Sequence, residues 1–305
     1  LGYAALCLNT TGANNTSVGY DALVKNTTGA NNVAVGATAL DESTTGTENT
    51  AIGVNTLGHV TTGSYNTAVG KDAGRDYTTA ASLVAIGHSA LRGNTTGSSN
   101  TAVGVDALIA NTTGTQNTAI GLGAGNLTTT GSNNIMIGKG SDADAVGTNN
   151  VIAMGENVVS ILNAFTFGAG GNDSRIAFGA TSITAPSDMR LKEDIQDDTA
   201  GLSFINDLRP VTYKWRQEKD IPEEMRTHVA GSTKRYNNDK VNHGFIAQEV
   251  KEAIDKHPEL KDGFDMWTEE STMDGRQRVA EGALIPMLVK AIQELKAEIE
   301  LLKNK

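Results

Sequence analysis

Residue types able to do chemistry are spread thinly through this 305-residue chain. Its five histidines (His59, His88, His228, His243 and His257) show no spacing that converges on a metal ion. The single cysteine, Cys7, rules out a disulfide framework and a thiolate zinc cluster. Ser141, Asp142 and Asp144 stand close together and read as turn residues rather than a calcium loop. Gly121-Leu-Gly-Ala-Gly125 has the look of a phosphate loop, but Gly138-Lys139 lacks the following Ser or Thr that a P-loop requires. Glycan hydrolysis needs a facing pair of carboxylates, and no such pair recurs among the 11 acidic residues of 1–186. No metal and no cofactor is expected. A net charge of −10 argues against nucleic acid and anionic membranes as partners. No apolar run reaches the 18 residues or so that a transmembrane helix needs.

The elements that position these residues fall into two parts. Residues 1–186 hold 28 of the 34 glycines and 17 charged residues, whereas 187–305 hold six glycines and 43 charged residues. The boundary is placed at Pro186–Ser187. Aromatic residues, at 5%, are too few for an ordinary core of this size.

The first part is a repeat. Gly2, Gly19, Gly36, Gly53 and their successors to Gly155 recur every 17 residues. A second series of the same period, Gly12, Gly29, Gly46, Gly63, Gly97, Gly114 and Gly131, is interrupted only at Ala80. Each repeat reads roughly N-T-A-V-G-x-D-A-L-x-x-N-T-T-G-x-x. β-Branched residues flank a central alanine, which predicts a three-residue strand with period two. Asn-Thr-Thr-Gly supplies the turn, with its glycine free to take positive φ. A copy of Asn-x-Thr in every turn makes these matches to a glycosylation signal a feature of the repeat. One repeat buries only three or four apolar side chains, so stacking is obligatory. Ten rungs at about 4.8 Å make a stack of roughly 45 Å. The alanines are expected to let other chains approach around a common axis, three chains being favoured; a lone solenoid using the alanines internally is the alternative. The fold class is therefore mainly β: a trimeric 17-residue-repeat β-solenoid, followed by an α+β domain. Leu1-Gly2 occupies the strand-ending position of a repeat, so further sequence is expected upstream. Residues 1–157 form the stalk, and 158–186 form a β-shaft or hairpin with strands near Val158–Phe167 and Arg175–Thr184.

From Ser187 the pattern changes. A short helix is expected over Leu202–Leu208, a strand over Val211–Trp215, a polar mobile loop over Glu218–Asp239, a helix ending before Pro258, and a long helix over Glu281–Leu302. In that last helix Ile285, Leu288, Ile292, Leu295, Ile299 and Leu302 alternate at spacings of three and four. This is a coiled-coil seam, whose Ile and Leu positions lean toward two strands. The plainer reading is a helix packed on its own domain.

Four ordered motifs carry a resemblance: Ser187-Asp-Met-Arg-Leu-Lys-Glu-Asp-Ile195, Leu208-Arg-Pro-Val-Thr-Tyr-Lys-Trp215, His243-Gly-Phe-Ile-Ala-Gln-Glu-Val250 and Ala283-Leu-Ile-Pro-Met-Leu-Val-Lys-Ala-Ile-Gln-Glu-Leu295. Together they resemble the C-terminal intramolecular chaperone of endosialidase-type phage tailspikes and tail fibres, with relatives in neck appendages and the myelin regulatory factor. The resemblance covers about 187–305. Val279-Ala-Glu-Gly282 stands where the family often has a tyrosine. The stalk is similar in architecture to trimeric autotransporter adhesin heads, with a different period.

The resemblance implies a trimeric module that sets the register of an upstream β-rich trimer and then cuts itself off. It implies a Ser–Lys dyad, with Ser187 as nucleophile, Lys192 as general base, and the cut between Pro186 and Ser187. Alone, a serine with a lysine five residues on carries almost no signal. Lys192 acts as base only when its pKa falls; Arg190 favours that, and Asp188, Glu193 and Asp194 oppose it. The expected enzyme is a single-turnover peptidase without external substrate. Expected partners are two further copies of the chain and a host receptor or glycan on the stalk. The expected location is the virion, with the chaperone released in the host cytoplasm. A bacterial adhesin retaining its trimerisation module, and a depolymerase with catalysis upstream, are the alternatives.

Overall fold

The computed structural model describes residues 2–304 apart from 171, 181–182, 185–186, 188, 190–191, 226, 261–263, 265 and 270–276. The chain divides into two compact units, Leu1–Leu191 and Lys192–Lys305.

The first unit is a β-solenoid of about nine turns. Strands β1 (Thr16–Val18), β2 (Val33–Val35), β3 (Thr50–Ile52), β4 (Thr67–Val69), β5 (Val84–Ile86), β6 (Thr101–Val103), β7 (Thr118–Ile120) and β8 (Ile135–Ile137) stack in chain order. Each pairs in parallel with the next, residue for residue, 17 positions on: Thr16 faces Val33, and Thr118 faces Ile135. After β9 (Asp142–Ala143), β10 (Val151–Glu156) and β11 (Val159–Ser160), strand β12 (Ala164–Ala169) pairs with β10 through a coil of only 13 residues, Val151 opposite Ala164. Strand β13 (Asn172–Ala177) then turns back antiparallel on β12. The expected hairpin exists, but it begins at Ala164. Asn157 and Asn163, both left-handed at φ 53° and 55°, bend the chain on either side of β11, which pairs with β9 instead.

The strand alanines correct one expectation. Ala34, Ala51, Ala68, Ala85, Ala102 and Ala119 are fully buried inside a single chain. The interior is too narrow for larger side chains at most rungs, so the alanines line the solenoid's own core and do not present a face to other chains. Leu23, Leu40, Leu57, Leu91 and Leu108 complete that core. Each of these leucines sits at φ between 50° and 53°. A left-handed leucine costs about 1–2 kcal/mol, and burying its side chain returns about 1.5–3 kcal/mol, so burial wins.

The glycine roles are also the reverse of the expectation. The strand-ending series carries the positive φ, as in Gly19 at 142° and Gly53 at 137°. The Asn-Thr-Thr-Gly series is needed for close approach: a Cβ on Gly114 would lie 2.2 Å from the Gly131 carbonyl oxygen of the next rung.

Two asparagine ladders run through the interior. In one, Asn117 Nδ2 donates to the Gly131 oxygen at 2.8 Å, and its Oδ1 accepts from the Asn134 N–H at 3.1 Å. Asn32, Asn49, Asn66 and Asn100 repeat the pattern. In the other, Asn26 and Asn111 donate to the asparagine one rung back and to the glycine three residues on. A buried amide is tolerable only when bonded, and the ladder bonds it at each rung.

Two rungs depart from the pattern, and both compensate volume. Gly74 replaces the core leucine where Tyr77, fully buried, fills the interior. A Cβ on Gly74 would lie 2.8 Å from both Leu57 and the Tyr77 ring. That rung also holds Ala80 and Leu83, so Ala80 breaks the glycine series where Tyr77 and Leu83 replace both flanking asparagines. Gly125 likewise replaces a leucine where Met136 replaces the strand alanine; a Cβ there would lie 2.9 Å from Met136 Cε.

The second unit mixes helices and short antiparallel strands. Helix α1 (Leu202–Asp207) stops before Arg209-Pro210 as expected. Strand β14 (Val211–Tyr213) pairs with β15 (Asn242–Gly244), which leads into α2 (Ala247–Lys256). Strands β16 (Trp267–Glu269) and β17 (Gln277–Val279) pair before a 3₁₀ turn, Glu281–Leu284, and helix α3 (Ile285–Lys303). Its core is built on Phe204, Val250, Ala253, Ile254, Leu260, Met266, Leu284 and Met287. The segment 218–239, expected as a mobile loop, is a fastened excursion. Gln217 bridges Arg235, the Glu218 N–H donates to the Lys234 oxygen at 2.8 Å, and Tyr236 packs edge-on against Trp215.

Candidate functional site

The junction residues lie past the end of the solenoid. After β13, the backbones of Arg175 and Thr184 bond each other in both directions, at 2.7 and 2.6 Å. Ser187 follows as an exposed residue of the first unit, and Lys192 is the exposed first residue of the second. Pro186, Asp188 and Arg190 lie outside the described residues. Glu193 and Asp194 are exposed, Asp194 in left-handed backbone at φ 52°.

The second and third sequence motifs meet as a sheet. Thr212 faces His243 and Tyr213 faces Asn242 across β14 and β15. Arg209, one residue before the proline, reaches Glu249 on the first turn of α2, its Nε donating to Oε2 at 2.9 Å and its Nη2 donating to Oε1. That hydrogen bond holds the Glu249 carboxyl below the usual carboxylate range. His243 is exposed on β15.

The fourth motif forms α3 and gives it two faces. Met287 and Ala291 are buried against the unit. The Glu294 carboxylate accepts from the Leu202 N–H at 2.7 Å, which caps α1 and ties the two helices together. The heptad residues stay open: Ile285 is 64% exposed, Ile292 64%, Ile299 50% and Leu302 69%. The packed-helix reading and the seam reading are thus both realised, on opposite faces. Val279, at the position where the family often has tyrosine, packs partly buried against the core.

Two arrangements had no local signal in the sequence. His257 sits between Asp207 and Glu259, each 3.0 Å from a ring nitrogen, with Phe204 edge-on to the imidazole. Burial opposes its charge, but the two carboxylates outweigh burial and hold its pKa above the ordinary value. The partners are separated by 50 residues in sequence, beyond the reach of motif reading. The asparagine ladders were visible as a column at the 17-residue period, where the residue was read only as turn chemistry.

The remaining stalk residues have structural work. Asp142 accepts from the Leu127 N–H at 2.8 Å and from the Thr128 hydroxyl at 3.3 Å, while burial pushes its carboxyl up. Asp144 accepts from Thr148, and Ser141 donates to the Gly138 oxygen. Gly121 and Gly125 occupy ordinary rung positions. His59 and His88 lie beside Asp76 and Asp106 of the next rung.

No curated protein and no solved structure matches the chain. Residues 187–258 match the family model Peptidase S74, described as chaperone of endosialidase, and its first matched residue is Ser187 itself. The chain thus carries a chaperone-of-endosialidase segment behind a β-solenoid stalk.

Proposed function

We propose that this chain is the distal part of a phage tail fibre or spike, whose C-terminal unit trimerises the stalk, sets its register and then releases itself. The observation that carries the reading is the family match beginning at Ser187, directly after the hairpin that closes the solenoid. The exposed α3 seam supports self-association, because six apolar side chains on one helical face are stable in water only when another helix covers them.

The cut is an intramolecular acyl transfer. Neutral Lys192 takes the Ser187 hydroxyl proton, and Ser187 Oγ bonds to the Pro186 carbonyl carbon. The Pro186–Ser187 C–N bond breaks, and the amine leaves with a proton, giving an ester. Water hydrolyses the ester to a Pro186 carboxylate and a free Ser187. The event happens once per chain. The freed stalk is then held by its unfolding barrier.

Denaturing gels of the purified wild type beside Ser187→Ala and Lys192→Ala test the reading. The wild type is expected to give fragments of 186 and 119 residues, and both variants one intact band. A fully folded wild type that stays intact removes the autoprotease. Light scattering on Ser187→Ala tests the trimer separately.

A further inference from the structure

The outward face of the stacked strands is chemically uniform. With the central alanine turned inward, the first and third residue of every strand point out, making two columns that run from Thr16 and Val18 to Ile152 and Met154. Every position in both columns except Met154 is Thr, Val or Ile, and none is charged. None of these side chains is buried; Val18, Ile52 and Ile120 are 41–42% exposed. Charges occupy the turns, where Lys25 pairs with Glu42 and Lys139 with Glu156 between neighbouring rungs. Along its flank the strip carries Tyr20, Val54, Val105 and Leu122, each at least 41% exposed.

We infer that this face is the surface on which copies of the chain pack, strand face to strand face, with a second copy of the solenoid as its occupant. Three properties select that occupant. In a chain of net charge −10, a long strip free of charge meets another copy without repulsion there. The strip repeats about every 4.8 Å over roughly 40 Å, and another copy of this solenoid presents a flat surface of the same period. Its size also fits. At about 40 Å by 15 Å with the flank, each chain offers ~600 Å², which reaches the lower end of the standard interface range. An exposed apolar patch of this extent marks an interaction surface. The inference rests on the self-associating reading above and assigns its stalk contact to the Thr/Val/Ile columns, in place of the buried alanines.

The test uses the full chain. Light scattering first establishes the mass of the wild type. Val35→Lys, Val69→Lys and Val103→Lys together place charges on the strip; Thr45→Lys, Thr79→Lys and Thr113→Lys place them on exposed turn threonines of another face. The strip variant is expected to lose the heat-resistant oligomer with its β circular dichroism retained, and the turn variant to keep it. Since lysines on a strand can also weaken folding, a conservative probe stands beside them. In a Cys7→Ser background, Val69→Cys should give a disulfide-linked dimer under copper–phenanthroline oxidation, and Thr62→Cys should not. A monomeric wild type overturns both this inference and the trimer. An oligomeric wild type that cross-links through Thr62→Cys but not Val69→Cys overturns only the assignment of the face.

Discussion

The compensated rung at Gly125 and Met136 gives the sharpest test of how the solenoid packs. In most rungs a leucine and a strand alanine fill the interior; here the volumes are exchanged. Met136→Ala removes a fully buried thioether opposite a glycine that cannot fill the space. A cavity of that kind costs about 2–5 kcal/mol. Gly125→Leu alone drives a side chain into Met136 Cε, which a Cβ already approaches at 2.9 Å. Overpacking costs about 1–3 kcal/mol. The double variant restores the Leu–Ala pairing of the regular rungs, where leucine already adopts the required left-handed backbone, as Leu108 does at φ 50°. The single losses therefore sum to about 3–8 kcal/mol, and the double should recover to within about 1 kcal/mol of wild type, a coupling of at least ~2 kcal/mol. Guanidinium unfolding followed by circular dichroism measures it. Trp215 and Trp267 both lie in the second unit, so tryptophan fluorescence reports that unit separately. Additive losses, within about 0.5 kcal/mol, would refute the volume-exchange argument.

Three further outcomes follow from the same contacts. Asn117→Ala orphans the Gly131 oxygen and the Asn134 N–H inside the stack, so it should lower solenoid stability by about 2–5 kcal/mol; the exposed Thr113→Ala should change it by less than about 0.5 kcal/mol, as thermal unfolding by circular dichroism will show. The folded His257 pKa lies above its unfolded value. Its stabilisation is therefore complete below the unfolded pKa near 6.5 and lost as pH rises through the folded one; Trp fluorescence unfolding curves from pH 6 to 9 should fall with pH in the wild type and flatten in His257→Gln. Removing the carboxylate that caps α1, in Glu294→Ala, should cost about 0.5–2 kcal/mol in the second unit, read by the same fluorescence.

Much of this architecture was legible because a 17-residue period leaves little choice: constant spacing fixes parallel in-register strands, and the glycines mark where strands end. The direction in which the strand faces look was not legible. Alternation separates alanine from β-branched residues but does not say which lies inside, and only the width of the closed coil decides for alanine. The two glycine series were equally visible, yet their roles depend on φ and on inter-rung distance, neither of which spacing encodes. In the second unit, helix α1, helix α3 and the β14 strand could be read locally. The Arg209–Glu249 pair, the Glu294 cap and the His257 cluster join residues far apart in sequence, so nothing short-range announces them.

The interior irregularities bear on why a stalk of this kind needs an aligning module. Tyr77, Leu83, Gly125 and Met136 make individual rungs distinguishable, but these core side chains are all hidden within one chain. The outward columns are nearly identical from rung to rung, so two copies that slip by one rung, about 4.8 Å, still pair most of their rungs. The loss is roughly one contact in nine, and it scales with an interface of only ~600 Å² per chain, so the energy gap between correct and slipped alignment is small. Alignment therefore has to come from a feature present once per chain. Helix α3 is such a feature: its exposed seam runs under three heptads, too short for a slipped pairing to keep many contacts. Replacing Ile292 and Ile299 by Glu in the uncleaved Ser187→Ala chain should accordingly leave each solenoid folded while its assemblies become mixed in register. Cysteines one rung apart, Val69→Cys on one chain and Ile86→Cys on another, would then cross-link as readily as matched Val69→Cys pairs. If matched pairs still dominate, the columns themselves discriminate between rungs, and the case for an aligning module fails.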